Sequence, residues 1–387
     1  MSRTATDRSK RTRTLLATLS LSCLAMPALA NDWQPDHTQV IDTSTWEVDA
    51  HGDRAVIFRG DVIDIMERSS RTGAWVVTYR EDKQNAVGAI DAAATYYAQA
   101  FSGDQACSPR PVYSRLHAVG GSFQPILTVS GNIDRLAADS SGRLLIAYEV
   151  CGARGSRRPA VDLFEYDLQL GAWLKVWGGL DPSWGGWTVE FGFWGGREAV
   201  DIDGDYAAFP VSRASGSFQS GIAILRRTAH QNWVLWQILQ TPNEHEGNGI
   251  TIDMGGGALV LGDEPSDTVF HSLRGTNGYY DAFDAIPGTD GFHEIGTDGP
   301  VVYVGKPEFS VGGYLGTEHG AILRYRRVPS GWLQDDQLVP PCCLDEMLGP
   351  FFAVTEDWVF STSPLSLGTS NFKIVRTRFS VFARPPF

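Results

Sequence analysis

The amino-acid sequence predicts an all-β protein built from one four-stranded unit repeated along the chain, and three observations carry that prediction. From Trp46 onward there is no amphipathic helical stripe of convincing length; apolar residues come in Val- and Ile-rich runs broken by Gly, Asp, Pro and Ser. The 387 residues include 42 Gly and 20 Pro, ordinary for a turn-rich β chain and high for a helical one. A tight turn followed by an aromatic residue recurs in register, roughly fifty residues apart, which marks a repeat architecture.

The clearest copy starts at Ala199. Ala199-Val200-Asp201-Ile202-Asp203 alternates as a strand, Gly204-Asp205 turns the chain, and Tyr206 to Phe209 run back. Gly221 to Arg227 form a third strand, and Trp233 opens a fourth that ends at Leu239. Four antiparallel strands joined by tight turns make one propeller blade. The first turn of each copy is read at Gly52-Asp53, Gly103-Asp104, Gly142, Gly204-Asp205, Gly256, Gly299 and Glu356. The aromatic that opens the fourth strand is read at Trp75, Phe123, Trp173, Trp233, Tyr279 and Trp332. A lone four-stranded sheet cannot bury both faces, whereas stacking such sheets about an axis buries the faces between neighbours. Residues 31–387 are therefore expected to form a single seven-bladed β-propeller, with a β-sandwich or a two-domain β protein as the alternative. The seventh copy has a third strand at Phe372 to Val375 and no clear fourth; Thr38-Gln39-Val40-Ile41 is expected to supply it and close the ring.

Two stretches, Val200-Asp201-Ile202-Asp203-Gly204-Asp205-Tyr206-Ala207 and Gly299-Pro300-Val301-Val302-Tyr303-Val304-Gly305-Lys306-Pro307, carry a family resemblance. The chain resembles the FG-GAP repeat, the blade of integrin α-subunit heads and of many secreted bacterial propellers. The Phe-Gly half of the motif is blurred, and the Gly-Ala-Pro half survives as Gly305-Lys306-Pro307 and Thr362-Ser363-Pro364. The family includes adhesion heads and lectins, so the resemblance implies ligand binding without catalysis, an analogy at the level of fold. Integrin-type blades often carry an Asp-x-Asp-x-Asp-Gly calcium loop. Asp201-Ile202-Asp203-Gly204-Asp205 has instead the alternation of a strand and its hairpin turn, so no metal is expected there.

Residues 1–30 read as a secretory signal. Arg3, Arg8, Lys10, Arg11 and Arg13 precede an apolar run from Leu15 to Met26, and Pro27-Ala28-Leu29-Ala30 ends it. The run is shorter than the ~20 residues of a membrane anchor, and Ser20 stands where a lipoprotein site at Cys23 would want Leu. A bacterial protein, secreted or periplasmic, without a transmembrane segment, is the expectation. Its remaining cysteines, Cys107, Cys151, Cys342 and Cys343, are even in number, and disulfide bonding is the expected use in an oxidising compartment. A Cys107–Cys151 bridge and a vicinal Cys342–Cys343 ring are the pairings considered.

The net charge of −13 argues against a nucleic-acid partner. No His-Glu-x-x-His, Gly-x-Ser-x-Gly or phosphate-cradling Gly-x-x-x-x-Gly-Lys occurs, and no cofactor is expected. The most unusual stretch runs from Trp177 to Gly196 and holds Trp177, Trp184, Trp187 and Trp194 among many glycines. Flat aromatic faces suit stacking on sugar rings or on a protein ligand, although large aromatics more often pack inward. Arg154, Arg157 and Arg158 are candidates to dock an acidic sugar or phosphate. Glu244, His245, Glu246, His293, Glu294 and Tyr314 are the candidates for acid–base chemistry on a polysaccharide. A secreted module binding a glycan or protein is the leading expectation. A polysaccharide lyase or hydrolase and an envelope scaffold are the alternatives.

Overall fold

The computed structural model describes residues 35–41, 47–59, 62–82, 86–91, 96–101, 113–118, 126–139, 141–151, 157–178, 184–189, 200–215, 217–242, 250–306, 320–338, 351–365 and 376–384. Among these, the strands pair into seven antiparallel sheets. Sheet one joins Glu47–His51, Arg54–Arg59, Val62–Arg68 and Trp75–Asp82 in chain order. Sheet two joins Ala86–Asp91, Tyr96–Phe101, Tyr113–Ala118 and Leu127–Ser130. Sheet three joins Asn132–Asp139, Arg143–Cys151, Arg157–Asp167 and Ala172–Gly178. In sheet four the edge of Tyr206–Ser215 is lined by two short pieces, Thr188–Val189 and Asp201–Asp203, and Ser217–Arg227 and Trp233–Gln240 follow. Sheet five joins Ile250–Gly255, Ala258–Asp263, Thr268–Leu273 and Asp284–Ile286, and sheet six Glu294–Asp298, Val301–Lys306, Ala321–Val328 and Gly331–Leu338. Sheet seven joins Phe351–Val354, Trp358–Leu365 and Arg376–Ala383 with Pro35–Ile41.

This is the architecture of a β-propeller. The first strand of each sheet lies beside the first strand of the next, and Glu47–His51 of sheet one neighbours Phe351–Val354 of sheet seven. Against the expected seven blades, the structure describes most of the side chains of five, sheets one, three, four, five and six. Sheets two and seven are described by their backbone pairing and a part of their side chains. The N-terminal strand does join the last sheet: Thr38 pairs with Ser380, Gln39 with Phe379, Val40 with Arg378 and Ile41 with Thr377.

Local chemistry explains the blade. Gly52, Gly204, Gly256 and Gly299 open the first hairpin turn at φ of +56°, +57°, +57° and +62°, a conformation only glycine adopts freely and one that matches the twist of paired strands. The fourth strands of sheets one, three, four and six each carry a bulge at the same place. The extra residues, Thr78, Val176, Trp236 and Asp335, each lie three positions after the tryptophan near the start of that strand. A bulge strengthens local twist, so the aromatic repeat marks where each outer strand coils.

Apolar seams join the blades. Leu145, Ala147, Val161 and Leu163 of sheet three meet Ala207, Phe209, Val211 and Ala223 of sheet four. Each large aliphatic or aromatic side chain so buried contributes about 1.5–3 kcal/mol. Polar clasps finish the seams: Trp233 Nε1 donates to Glu165 at 2.8 Å, Trp332 Nε1 to Asp284 at 3.3 Å, and Arg143 pairs with Asp205 at 3.1 Å.

Two local expectations are corrected. The first hairpin of sheet two is closed by the Asp91–Tyr96 pair, not at Gly103-Asp104; the intervening sequence, Ala-Ala-Ala-Thr, carries none of the usual turn residues and so gave no local signal. Tyr279 does not open a fourth strand: it is exposed and stacks on Trp236 at 4.6 Å, while Tyr280 takes the buried place and the strand starts at Asp284. The described third strand of sheet seven is Arg376–Ala383, paired with Trp358–Leu365; Phe372–Val375 and Phe123 lie outside the described residues.

Candidate functional site

The outer end of the seam between sheets three and four gathers the tryptophans. Trp177 pairs with Leu163 on the last strand of sheet three, and alternation puts it on the face toward sheet four. Trp184 and Trp187 come from the connection between these sheets. Trp177 and Trp184 stack at 5.7 Å and 19°, and Trp177 meets Phe209 at 5.6 Å. Trp187 lies over Gly221, its ring 3.2 Å from where a Cβ would stand, so the glycine lets the indole down onto the sheet. All three are half-buried. They pack against the core of the seam and remain partly exposed, as a group that stacks on a flat ligand must.

One residue of this site was not singled out by sequence reading. Arg213 follows Phe209 and Val211 on the same face of its strand. The pairs Val189–Val211 and Thr188–Ser212, continued by one residue, place it opposite Trp187. Its Nε is buried without a hydrogen-bond partner. The available signal was a single cation in the Ser-rich hairpin Ser212–Ser220.

The other candidates separate. Arg158 is exposed and shares its strand face with Ala160, which packs on the side of sheet three away from the tryptophans, so it does not join them. The backbone of Arg157 pairs with Cys151. Trp194, Arg154, Glu244, His245, Glu246, Tyr314, Cys107, Cys342 and Cys343 lie outside the described residues. His293 and Glu294 enter the first strand of sheet six, where the His293 N–H donates to the Gly305 carbonyl. Glu294 is buried rather than presented on a loop face, because that strand faces its neighbours on both sides.

A second cluster lines the inner strands. Asp49, Asp201 and Asp253 each stand three residues before a turn glycine, Gly52, Gly204 and Gly256. Asp201 accepts the Met254 N–H of the next sheet at 2.5 Å and the Ile202 N–H at 2.7 Å. Asp253 accepts the N–H of Thr297 from the sheet beyond. Burial pushes the Asp201 carboxyl up to about 7, with the charges of Asp203 and Asp49 adding to it. Burial, followed by the charge of Asp201, holds Asp253 well above the usual carboxylate range. Both carboxyls are thereby biased toward their protonated forms. Asp201–Asp203 forms a strand and Gly204-Asp205 its turn, as the alternation indicated. Among the described residues no group of three His, Cys, Asp or Glu is placed to hold a metal ion.

No family model matches the chain, and no curated protein matches it. Several solved structures are similar in fold. The β-propeller domain of the Trilobed protease from Pyrococcus furiosus is 12% identical with a TM-score of 0.45, covering 84% of this chain and 93% of its own. Hsv2 of Kluyvelomyces marxianus is 10% identical, TM-score 0.48, over 83% and 90%. A functionally unknown protein from Desulfotomaculum acetoxidans is 14% identical, TM-score 0.45, over 77% and 90%. Among the described residues no helix is long and apolar enough to cross a membrane.

Proposed function

We propose that the protein is a secreted, seven-bladed propeller of the FG-GAP kind that binds a glycan or protein ligand, without catalysis, at the seam between sheets three and four. The observation that carries this reading is the near-parallel Trp177–Trp184 pair, half-buried on the core with part of its surface open. Aromatic groups held rigidly at a surface supply contact area at low entropic cost. A glycan array with the chain from Asn31, beside a Trp184→Ala variant, tests it. Binding that is lost in the variant supports the reading. Binding unchanged in the variant, or no binding to any glycan or protein, overturns it.

The raised carboxyls of Asp201 and Asp253, on the first strands of neighbouring sheets joined by the Met254 N–H to Asp201 bond, favour a second reading, acid–base chemistry on a polysaccharide. Release of reducing ends or unsaturated products from a polysaccharide panel, abolished by Asp201→Asn, is its expected result. Equal product release by the variant, or none by the wild type, overturns it.

A further inference from the structure

Arg213 stands out among the arginines of the blade seams. Arg143 pairs with Asp205 and Asp139, Arg227 with Glu165, Arg324 with Asp335, Arg327 with Asp284 and Arg384 with Asp298. Among the described residues no carboxylate lies within ion-pair distance of Arg213, and its Nε is both buried and unpartnered. A guanidinium N–H removed from water without an acceptor is costly, and each such group calls for an explanation. The neighbours do not provide an acceptor: Phe209 and Val211 precede it on the same face, and Trp187 occupies the facing position.

Partly exposed indoles and an unmatched cation opposite one of them, Trp187, define a complementary ligand. That ligand offers a flat apolar ring face to the tryptophans and a single anionic acceptor to Arg213. A sugar ring bearing a carboxylate has both. A long polyanion such as nucleic acid is disfavoured by the net charge of −13, whereas one carboxylate against one unmatched guanidinium needs only a local cation. We propose that Trp177, Trp184, Trp187 and Arg213 form a subsite for an acidic sugar, a uronate, whose carboxylate pairs with the half-buried Arg213 guanidinium. The proposal rests on the glycan-binding reading and adds the charge of the sugar to it.

The probes are trigalacturonate and its fully methyl-esterified form, which has the same rings without the charges. Titration calorimetry on the chain from Asn31 is expected to show trigalacturonate binding at least about tenfold tighter than the ester, the scale of one charge-assisted hydrogen bond. In Arg213→Gln that preference falls to within about twofold while ester binding is kept; Arg213→Lys recovers part of it. Trp184→Ala loses both ligands. Near-ultraviolet circular dichroism checks that each variant keeps its packing. Equal affinity of the wild type for the two probes, or a preference that survives Arg213→Gln, overturns the uronate inference and leaves glycan binding standing. Absence of binding to both probes and to every glycan on the array overturns the two together.

Discussion

Two seams of this propeller are built from the same material and finished in opposite ways. Where sheet seven meets sheet one, Trp75, Trp358 and Phe360 are 3%, 6% and 0% exposed. Their rings meet edge to face, Trp75 against Trp358 at 5.3 Å and 84°, and against Phe360 at 5.0 Å and 88°. Trp358 Nε1 donates to Asp53 at 2.8 Å, and Arg68 covers the indole at 4.8 Å. Where sheet three meets sheet four, Trp177 and Trp184 lie nearly parallel, Trp187 rests on a glycine, and all three are half-buried. Perpendicular rings fill a volume in three dimensions; parallel rings form a slab with a face to offer. Aromatic content alone thus does not separate a closing seam from a presenting one. The arrangement of the rings and what covers them do.

The comparison breaks first at Phe360. Phe360→Ala empties the middle of the sealed seam and is expected to cost about 3–5 kcal/mol, read as a lower urea midpoint; Trp184→Ala at the open seam costs less than half as much. Equal losses would mean that the tryptophan slab is ordinary core. The inner strands give the next effect. The folded Asp201–Asp253 pair retains protons that ordinary carboxylates of the unfolded chain give up near pH 4. Stability contributed by the pair is therefore complete at the acid end and is lost as pH rises from about 4 to about 7, with a slope of at most about 1.4 kcal/mol per pH unit for each proton retained. Asp201→Asn is expected to flatten urea midpoints measured across that range; an unchanged slope would show that the pair does not hold the proton.

Smaller effects sharpen the contrast further. Trp358→Phe keeps the ring packing and removes the Asp53 bond, an expected loss of about 1 kcal/mol in urea unfolding; a loss as large as that of Phe360→Ala would place the seal in the hydrogen bond rather than in the rings. Gly221→Ala puts a methyl 3.1 Å from Ile238 Cγ2 and 3.2 Å from both the Leu239 carbonyl oxygen and the Trp187 ring. Trp187 and Ile238 can shift but the carbonyl is fixed in the sheet, so the expected cost is about 1 kcal/mol, with a red shift of tryptophan emission as the indole lifts. An unshifted spectrum would show that Trp187 is held as firmly as the sealed rings.

Much of the blade was legible because its signals are local. Gly204 needs a left-handed φ, Trp233 opens its strand, and Thr38 to Ile41 are extended residues left over after the last sheet had been counted as one strand short. The misreadings fell where a local signal was missing or duplicated. The Ala-Ala-Ala-Thr connection carries no turn residue, and of the neighbouring pair Tyr279 and Tyr280 only the packing of Tyr280 against Tyr206 shows which is inside. Arg213 was passed over because it lies in a Ser-rich hairpin with no charge pattern around it, while the residue opposite it, Trp187, comes from another segment.

By itself the sequence determined the strand period, the turn glycines, the aromatic that precedes each bulge and the strand that completes the last sheet. Each depends on residues within a few positions of one another, or on a count of strands. Only the tertiary structure decided that Asp201 reaches the Met254 N–H of the next sheet, that Trp177 and Trp184 stack half-buried, and that the Nε of Arg213 is enclosed without an acceptor. Those outcomes depend on side chains brought together from separate blades and on which neighbour covers them, and no local spacing encodes either.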